Sequence, residues 1–210
     1  MAATKAQRIG IWIIAAFMAI GTIGSFAIIV LANQNAQKDQ ARVKELTNQY
    51  TADTNAQAQE LSTTYYSAFS QYESRVAAFN ASEVTELKTE DIVIGTGDAI
   101  TTDSAFTAYY IGWTPDGKIF DSSVSGTTLK APFSVTPGEV IKGWTQGADG
   151  MKIGGVRELT IPSELAYGST GSGASIPADT PLKFIVMIIP EPKTVEMSQE
   201  LLNYYQTGSL

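Results

Sequence analysis

The chain has 210 residues, a net charge of −7, and neither cysteine nor histidine. Without these two residue types it has no disulfide, no cysteine nucleophile, no Ser-His-Asp triad and none of the usual zinc ligand sets. The acidic balance also argues against a nucleic-acid partner, because phosphate binding requires lysine and arginine patches. A chain of this length is expected to contain one globular domain with additional segments.

The amino-terminal region contains a long apolar segment. After a short tail at residues 1–8, residues 9–32 form a run of 24 uncharged residues. A helix of about 20 residues crosses a bilayer core, and the run is longer than the ~7–15 apolar residues of a cleaved signal peptide. We therefore predict an uncleaved transmembrane signal anchor. The alternative is a signal peptide cleaved after Ala32.

Basic residues on both sides of this segment make the charge rule for membrane orientation nearly even. Arg8 directly adjoins the apolar run, whereas Lys38 lies well beyond its other end. This difference favours a cytoplasmic amino end. We therefore predict a single-pass membrane protein with an extracytoplasmic domain.

Residues 33–82 are rich in glutamine, asparagine, threonine and alanine and contain neither proline nor glycine. Apolar and aromatic side chains recur at steps of three and four residues, as in Leu61, Tyr65 and Phe69. This period indicates a helix with a narrow apolar stripe. We predict a helical stalk, built as one long helix or two shorter ones, through which copies of the chain could self-associate. A solitary spacer is the alternative.

Short β-prone pieces separated by turn signals follow from residue 84. The predicted strands are 87–94, 105–113, 118–121, 132–135, 155–161 and 182–189. One short helix is predicted over 139–149, after the turn signal Pro137-Gly138. This combination predicts an α+β domain with an antiparallel sheet at 84–190. Residues 191–210 form a carboxy-terminal tail without predicted structure.

The stretch 109–144 combines recurring aromatic residues with a single carboxylate. Asp121 directly follows Phe120, and Tyr110, Phe133 and Trp144 lie before and after them among turn signals. An apolar cup with one acid at its rim suits an uncharged ligand held by shape and a few hydrogen bonds. Each aromatic residue taken singly is also compatible with an ordinary core position. The prediction therefore depends on the whole arrangement.

Several motifs resemble one known family. They include F-D-S-S at 120–123, V-I-x-G-W at 140–144 and A-Y-G at 166–168. With the flanking pieces at 110–112, 132–133, 159–162, 176–177 and 182–184, residues 84–190 resemble an FKBP-type peptidyl-prolyl cis-trans isomerase domain. The resemblance implies a strongly twisted antiparallel sheet wrapped around one short α-helix. Together with segment 9–32, it predicts a membrane-anchored member of that family.

The resemblance also implies a proline-binding pocket. Its implied catalytic residues are Tyr110, Asp121 and Tyr167, and its implied substrate-binding residues are Phe120, Phe133, Val140, Ile141, Trp144, Ile176 and Phe184. In the family, the tryptophan matching Trp144 forms the floor, and the aspartate matching Asp121 contacts the twisted amide. The tyrosine matching Tyr167 and the backbone N–H matching Ile141 donate hydrogen bonds to substrate carbonyls.

Three positions depart from the family's pattern. Val135 replaces a frequent aromatic residue, and Ser172 and Ser175 replace a histidine and an isoleucine of the loop beside the pocket. These departures bear on substrate preference and on affinity for macrolide inhibitors.

The implied chemistry agrees with the composition. Rotation about an X-Pro bond crosses a barrier of about 18–20 kcal/mol, and no covalent bond is made or broken. It needs no metal, cofactor or nucleophile, only preferential stabilisation of the rotated amide. We predict an isomerase that acts on proline-containing client polypeptides and assists extracytoplasmic folding. Two alternatives stay open: a non-catalytic chaperone module that grips proline segments, and a stalk that is itself the working part.

Overall fold

The computed structural model describes the backbone of residues 5–209 and the side chains of residues 34–209. Thr54–Thr194 form one compact unit, and the chain before Thr54 together with the chain after Thr194 forms the other. The predicted signal anchor at 9–32 lies outside the residues whose side chains are described. Among residues 34–209, no helix is both long and apolar enough to cross a membrane.

Most of the first third of the chain forms one continuous helix, α1 (Lys5–Ser70). The sequence left open whether this region forms one helix or two, and the structure shows one. The absence of helix-breaking proline and glycine from residues 33–82 accounts for its continuity there. Two short 3-10 helices follow at Gln71–Arg75 and Ala81–Glu83.

The remaining strands and α-helices follow in chain order. They are β1 (Lys88–Val93), β2 (Phe106–Trp113), β3 (Ile119–Ser122), β4 (Val124–Ser125), β5 (Thr128–Leu129), β6 (Phe133–Val135), α2 (Lys142–Ala148), β7 (Val156–Ile161), β8 (Leu182–Ile189) and α3 (Gln199–Thr207). The predicted and observed bounds of β8 are the same. The predicted helix over 139–149 begins later, because Ile141 has an extended backbone with ψ of 145°.

Within the described residues six of the strands form one sheet with the order β1-β7-β8-β2-β3, in which β6 also pairs with β2, and β4 and β5 form a separate two-stranded ribbon. All of these pairings are antiparallel, as predicted for the α+β class. Strand β2 pairs with β8 along one edge and with both β6 and β3 along the other. On β2, Tyr110 lies between the residues that pair with β6 and those that pair with β3, and its carbonyl accepts a hydrogen bond of 2.8 Å from the Ser123 amide.

Helix α2 packs closely on one face of the sheet through its glycines. A Cβ atom on Gly143 would lie 2.3 Å from the Cγ2 atom of Ile161, and one on Gly147 would lie 2.8 Å from a methyl group of Leu159. Real Cβ atoms do not approach carbon atoms this closely. The two glycines therefore let α2 approach β7, which fixes the depth of Trp144 in the core.

The opposite face of the sheet is covered by the end of α1 and the chain after it. Phe69 is fully buried, and its ring centroid lies 6.1 Å from that of Tyr109 on β2. The Tyr65 ring lies 5.9 Å from the same tyrosine. The apolar stripe that predicted a helix is thus the surface that packs on the sheet.

Polar contacts also hold this segment against the sheet. The indole Nε1 of Trp113 donates to the carbonyl of Ala77 at 3.0 Å. Arg75 contacts Glu158 of β7 at 3.1 Å, and Lys183 of β8 contacts the same carboxylate at 2.8 Å. Because Glu158 is nearly buried, these two cations supply the compensation that a buried carboxylate requires.

The predicted division into a stalk at 33–82 and a domain at 84–190 therefore differs from the structure. The compact unit begins at Thr54, because the second half of the predicted stalk supplies part of the domain's core. Phe69 and Tyr65, which suggested a self-associating stripe, are used in packing within the chain.

The predicted unstructured tail also requires correction, since residues after 198 form α3. The Ser198 hydroxyl accepts a hydrogen bond from the amide of Leu201, and the helix ends before Gly208, whose φ is 77°. Such start and stop signals are readable in the sequence. Arg42 of α1 holds α3 through three hydrogen bonds to Glu200, at 2.8, 3.1 and 3.2 Å.

Candidate active site

A cavity of about 360 Å³ opens beside α2. Nine of the ten predicted site residues line it, and Ile176 is the exception. They come from β2, β3, β6, β8, α2, the segment before α2 and the loop between β7 and β8, so the sheet topology assembles positions that are far apart in sequence. The cavity has the size and apolar character of small-ligand sites.

Trp144 of α2 forms the floor of this cleft. Its ring centroid lies 5.3 Å from the rings of both Tyr110 and Phe184 and 5.9 Å from that of Phe133. The ring planes are close to perpendicular, which is a favoured arrangement for aromatic pairs. Trp144 is only 4% exposed, so its orientation is fixed by packing.

Phe120 and Phe184 form a wall whose rings meet edge to face at 5.5 Å. Gly112 lies beneath this wall, where a Cβ atom would be 2.6 Å from the Phe184 ring and 2.7 Å from the Phe120 ring. The absence of a side chain at Gly112 therefore lets the two rings meet over β2.

Replacing Gly112 with alanine should displace both rings. We expect the free energy of unfolding to fall by about 1–3 kcal/mol, as in other overpacked cores, and kcat/KM for an X-Pro peptide to fall with it. Denaturant titration and a peptide isomerisation assay measure the two effects. Unchanged stability and rate would contradict the close packing described for this wall.

Asp121 lies at the rim of the cleft, where three donors contact its carboxylate. The Tyr110 hydroxyl donates to Oδ2, and the Ser122 amide donates to Oδ1 at 2.8 Å. The Lys130 ammonium group approaches Oδ1 at 3.3 Å. Asp121 is therefore held in place and does not resemble a free general base.

The two hydrogen-bonded side chains have shifted pKa values. Burial raises the pKa of Tyr110 above its usual range, and the bond to Asp121 raises it further. Burial alone would raise the pKa of Asp121, but the hydrogen bonds from Tyr110, Ser122 and Lys130 outweigh it and lower the value. At neutral pH, Tyr110 is thus a neutral donor and Asp121 is an ionised acceptor.

These directions predict a flat pH profile. The pKa of Asp121 lies below the usual value for aspartate, and the pKa of Tyr110 lies above the usual value for tyrosine. Neither group therefore changes its charge between about pH 5 and pH 9, and kcat/KM should stay constant over this range. Lys130→Gln should move the acid limb to higher pH, since one contact that lowers the pKa of Asp121 is removed. A peptide assay across this range tests both statements. A bell-shaped profile centred near pH 7 would contradict them.

Two further donors belong to the lining of the cleft. The backbone N–H of Ile141 donates to no acceptor in the described part of the chain. Tyr167 is 38% exposed, and its hydroxyl has no hydrogen-bond partner among the described residues. Both groups can therefore bond carbonyl oxygens of a bound peptide.

One predicted site residue, Ile176, is absent from the lining of the cavity, and two residues that were not predicted belong to it. Ile176 is 4% exposed and packs in the core, because its backbone pairs with Ser172 and turns the side chain inward. Gly138 and Glu139 line the cleft and were missed. Their position directly before Val140 was the available sequence signal.

Comparison with known proteins agrees with the resemblance. The family profile described as FKBP-type peptidyl-prolyl cis-trans isomerase matches residues 97–189. A curated FK506-binding protein of Neisseria meningitidis serogroup A is 42% identical over 102 residues, which cover 48% of this chain and 91% of that protein. FK506-binding protein 4 of Dictyostelium discoideum is 43% identical over 105 residues, covering 49% of this chain and 28% of that protein.

Among solved structures, a peptidyl-prolyl cis-trans isomerase of Pseudomonas syringae pv. tomato is 29% identical, with a TM-score of 0.45. The match covers 62% of this chain and 96% of the other. The fold and the aromatic cleft are those of an enzyme that binds peptides without covalent chemistry. By its match to the Neisseria protein, this chain belongs to the FKBP-type peptidyl-prolyl cis-trans isomerase family and is an enzyme of that type.

Proposed function

We propose that this chain is a membrane-tethered prolyl isomerase that assists the folding of extracytoplasmic proteins. The observation that carries the tether is the run of 24 uncharged residues at 9–32. Slow X-Pro isomerisation limits folding over tens to hundreds of seconds. A tethered catalyst would stay close to chains as they emerge from the membrane.

The arrangement of the cleft supports a specific mechanism. The proline ring of a client packs on Trp144 between the aromatic walls. The Ile141 amide and the Tyr167 hydroxyl donate to client carbonyl oxygens and hold the chain in a turned conformation. Rotation removes amide resonance and lowers the polarity of the carbonyl, so an apolar cleft disfavours the rotated amide less than the planar one.

Asp121 acts in this mechanism through Tyr110 and through its charge. Its carboxylate is occupied by donors from the protein itself, and the reaction transfers no proton. It therefore fixes the Tyr110 ring, which lies edge-on to the indole of the floor. This role differs from acid–base catalysis, which requires a group that can exchange its proton with the substrate.

The departure from the family's pattern at Val135 does not favour the non-catalytic alternative. Val135 is 1% exposed, packs in the core and does not line the cleft, so its departure from the family's pattern leaves the floor and walls unaffected. The alternative in which the stalk is itself the working part is also less favoured, because residues 54–79 include much of the domain's own packing surface.

The proposed orientation can be tested by thiol labelling, since the natural chain has no cysteine. Asp103→Cys introduces a single thiol at an exposed position of the domain, and Ala3→Cys introduces one before the apolar run. In intact cells an impermeant maleimide should label the first variant, and the second only after lysis. The reverse pattern would place the domain in the cytoplasm and overturn the proposal.

A further inference from the structure

A second cavity, of about 390 Å³, lies beside the turn between β2 and β3. Its lining comes from that turn, from the loop that leads into β8, and from Ala81 of the preceding 3-10 helix. Thr114 and Pro181 are its buried members, whereas Asp116 and Asp179 are exposed. It has no lining residue in common with the catalytic cleft.

Short stretches of chain connect the two cavities. Tyr167 lines the catalytic cleft, and the carbonyl of the next residue, Gly168, accepts a hydrogen bond of 2.8 Å from the amide of Asp179. Phe120 lines the cleft, and Lys118, two residues earlier, lines the second cavity. An extended peptide advances about 3.3 Å per residue. Because the Asp179 amide is one hydrogen bond from the residue beside Tyr167, a peptide of a few residues is long enough to extend from one lining to the other.

The lining of this cavity carries more negative than positive charge. The Asp116 carboxylate accepts from the Thr114 hydroxyl at 2.6 Å and from the Lys118 amide at 3.2 Å, which hold its pKa below the usual range. The Asp179 carboxylate has no hydrogen bond or ion pair within the described residues. Lys118 contributes the opposing charge, so these lining residues include two carboxylates and one ammonium group.

Three prolines supply rigid apolar surface between these charges. They are Pro115, Pro177 and Pro181. Long cationic side chains pack their methylene groups on apolar surface and keep the charged head in water. The combination of proline surface and an unpaired carboxylate at Asp179 fits a lysine or arginine side chain.

We propose that the second cavity is a subsite for a lysine or arginine side chain lying a few residues from the X-Pro bond of a client. The proposal rests on the proposed function, because it requires clients whose proline occupies the catalytic cleft. It assigns this enzyme a preference for cationic flanking sequence, which the apolar cleft does not itself supply.

The test compares peptides that have one X-Pro bond and differ at a single flanking position. Lysine, glutamine or glutamate is placed two, three or four residues from the proline, on either side. With the full chain, kcat/KM should be about two- to five-fold higher for lysine than for glutamine at one of these positions, as expected for an exposed ion pair. The advantage should shrink as salt is added.

Asp179→Asn is the decisive variant. Asp179 has a φ of 55°, and asparagine tolerates this region as well as aspartate, so the substitution removes the charge without straining the backbone. Asp103→Asn removes the same charge from an exposed position outside both cavities. The lysine preference should disappear in Asp179→Asn and persist in Asp103→Asn.

Amide NMR shifts around Thr114 and Asp179 measure peptide binding at the second cavity. They distinguish failure of the proposed subsite from failure of the proposed function. If a short peptide with no flanking residues is isomerised but lysine confers no advantage, the subsite is wrong and the proposed function stands. If no peptide is isomerised, the proposed function fails, and lysine-dependent shifts still decide the subsite. An equal preference for lysine in the wild type and in Asp179→Asn would also overturn the proposed subsite.

Discussion

Replacing Phe69 with alanine should reduce the free energy of unfolding by about 3–5 kcal/mol, the usual cost of emptying a buried phenylalanine site. Phe69 is fully buried between the sheet and the aromatic residues around it. Domains are stable by only about 5–15 kcal/mol, so this one substitution removes a large part of the total. Denaturant titration of the full chain in detergent measures the loss.

Ser67→Ala is the matched control, because Ser67 is exposed two residues away on the same helix. It should leave stability within about 0.5 kcal/mol of the wild type. If Phe69→Ala were equally neutral, α1 would not contribute to the domain core. A chain that starts at residue 84 should likewise be much less stable than one that starts at residue 54. Equal stability would contradict the domain boundary described above.

Replacing Trp144 with leucine should reduce kcat/KM for an X-Pro peptide between about tenfold and a hundredfold. The substitution removes the aromatic floor, and each tenfold loss corresponds to about 1.4 kcal/mol of transition-state stabilisation. Tyr110 and Phe184 would also lose the ring that both contact at 5.3 Å. The rate is measured under conditions in which the variant is folded.

The control for this prediction is Met151→Ala. Met151 is 3% exposed in the same core but does not line the cleft, so its truncation should destabilise the domain while the folded fraction keeps its activity. Loss of activity in both variants, in proportion to stability, would mean that Trp144 serves only the fold.

Much of the sheet could be predicted from local pattern alone. Strand β8 is apolar except for Lys183 and ends just before Pro190, and its predicted bounds are those observed. The β4–β5 ribbon was missed because each strand has only two residues, which is too short to establish a period of two.

The partner of the apolar stripe on α1 could not be predicted. A period of three and four residues indicates a helix with one apolar face, but it does not say whether that face meets another copy or the chain's own sheet. The contact of Phe69 with Tyr109 joins residues 40 positions apart. Such pairings depend on the tertiary fold and leave no local signal.

In the site, too, local motifs could be predicted and long-range contacts could not. The family resemblance supplied nine lining residues, because their motifs are local. Lys130 was not anticipated as a partner of Asp121, since it reaches the carboxylate only when the β4–β5 ribbon folds back and the Lys130 amide donates to the Ser123 carbonyl at 2.8 Å. Ile176 was assigned to the cleft, but its pairing with Ser172 places it in the core.

The most direct test of the central claim is the refolding of a reporter protein whose slow phase is X-Pro isomerisation. The rate of that phase should rise in proportion to the concentration of this chain, whereas faster phases should not change. The increase should be about tenfold to a hundredfold smaller with Trp144→Leu. A slow phase that is unaffected by the folded wild-type chain would contradict catalysis by this cleft and leave only the binding of proline-containing segments.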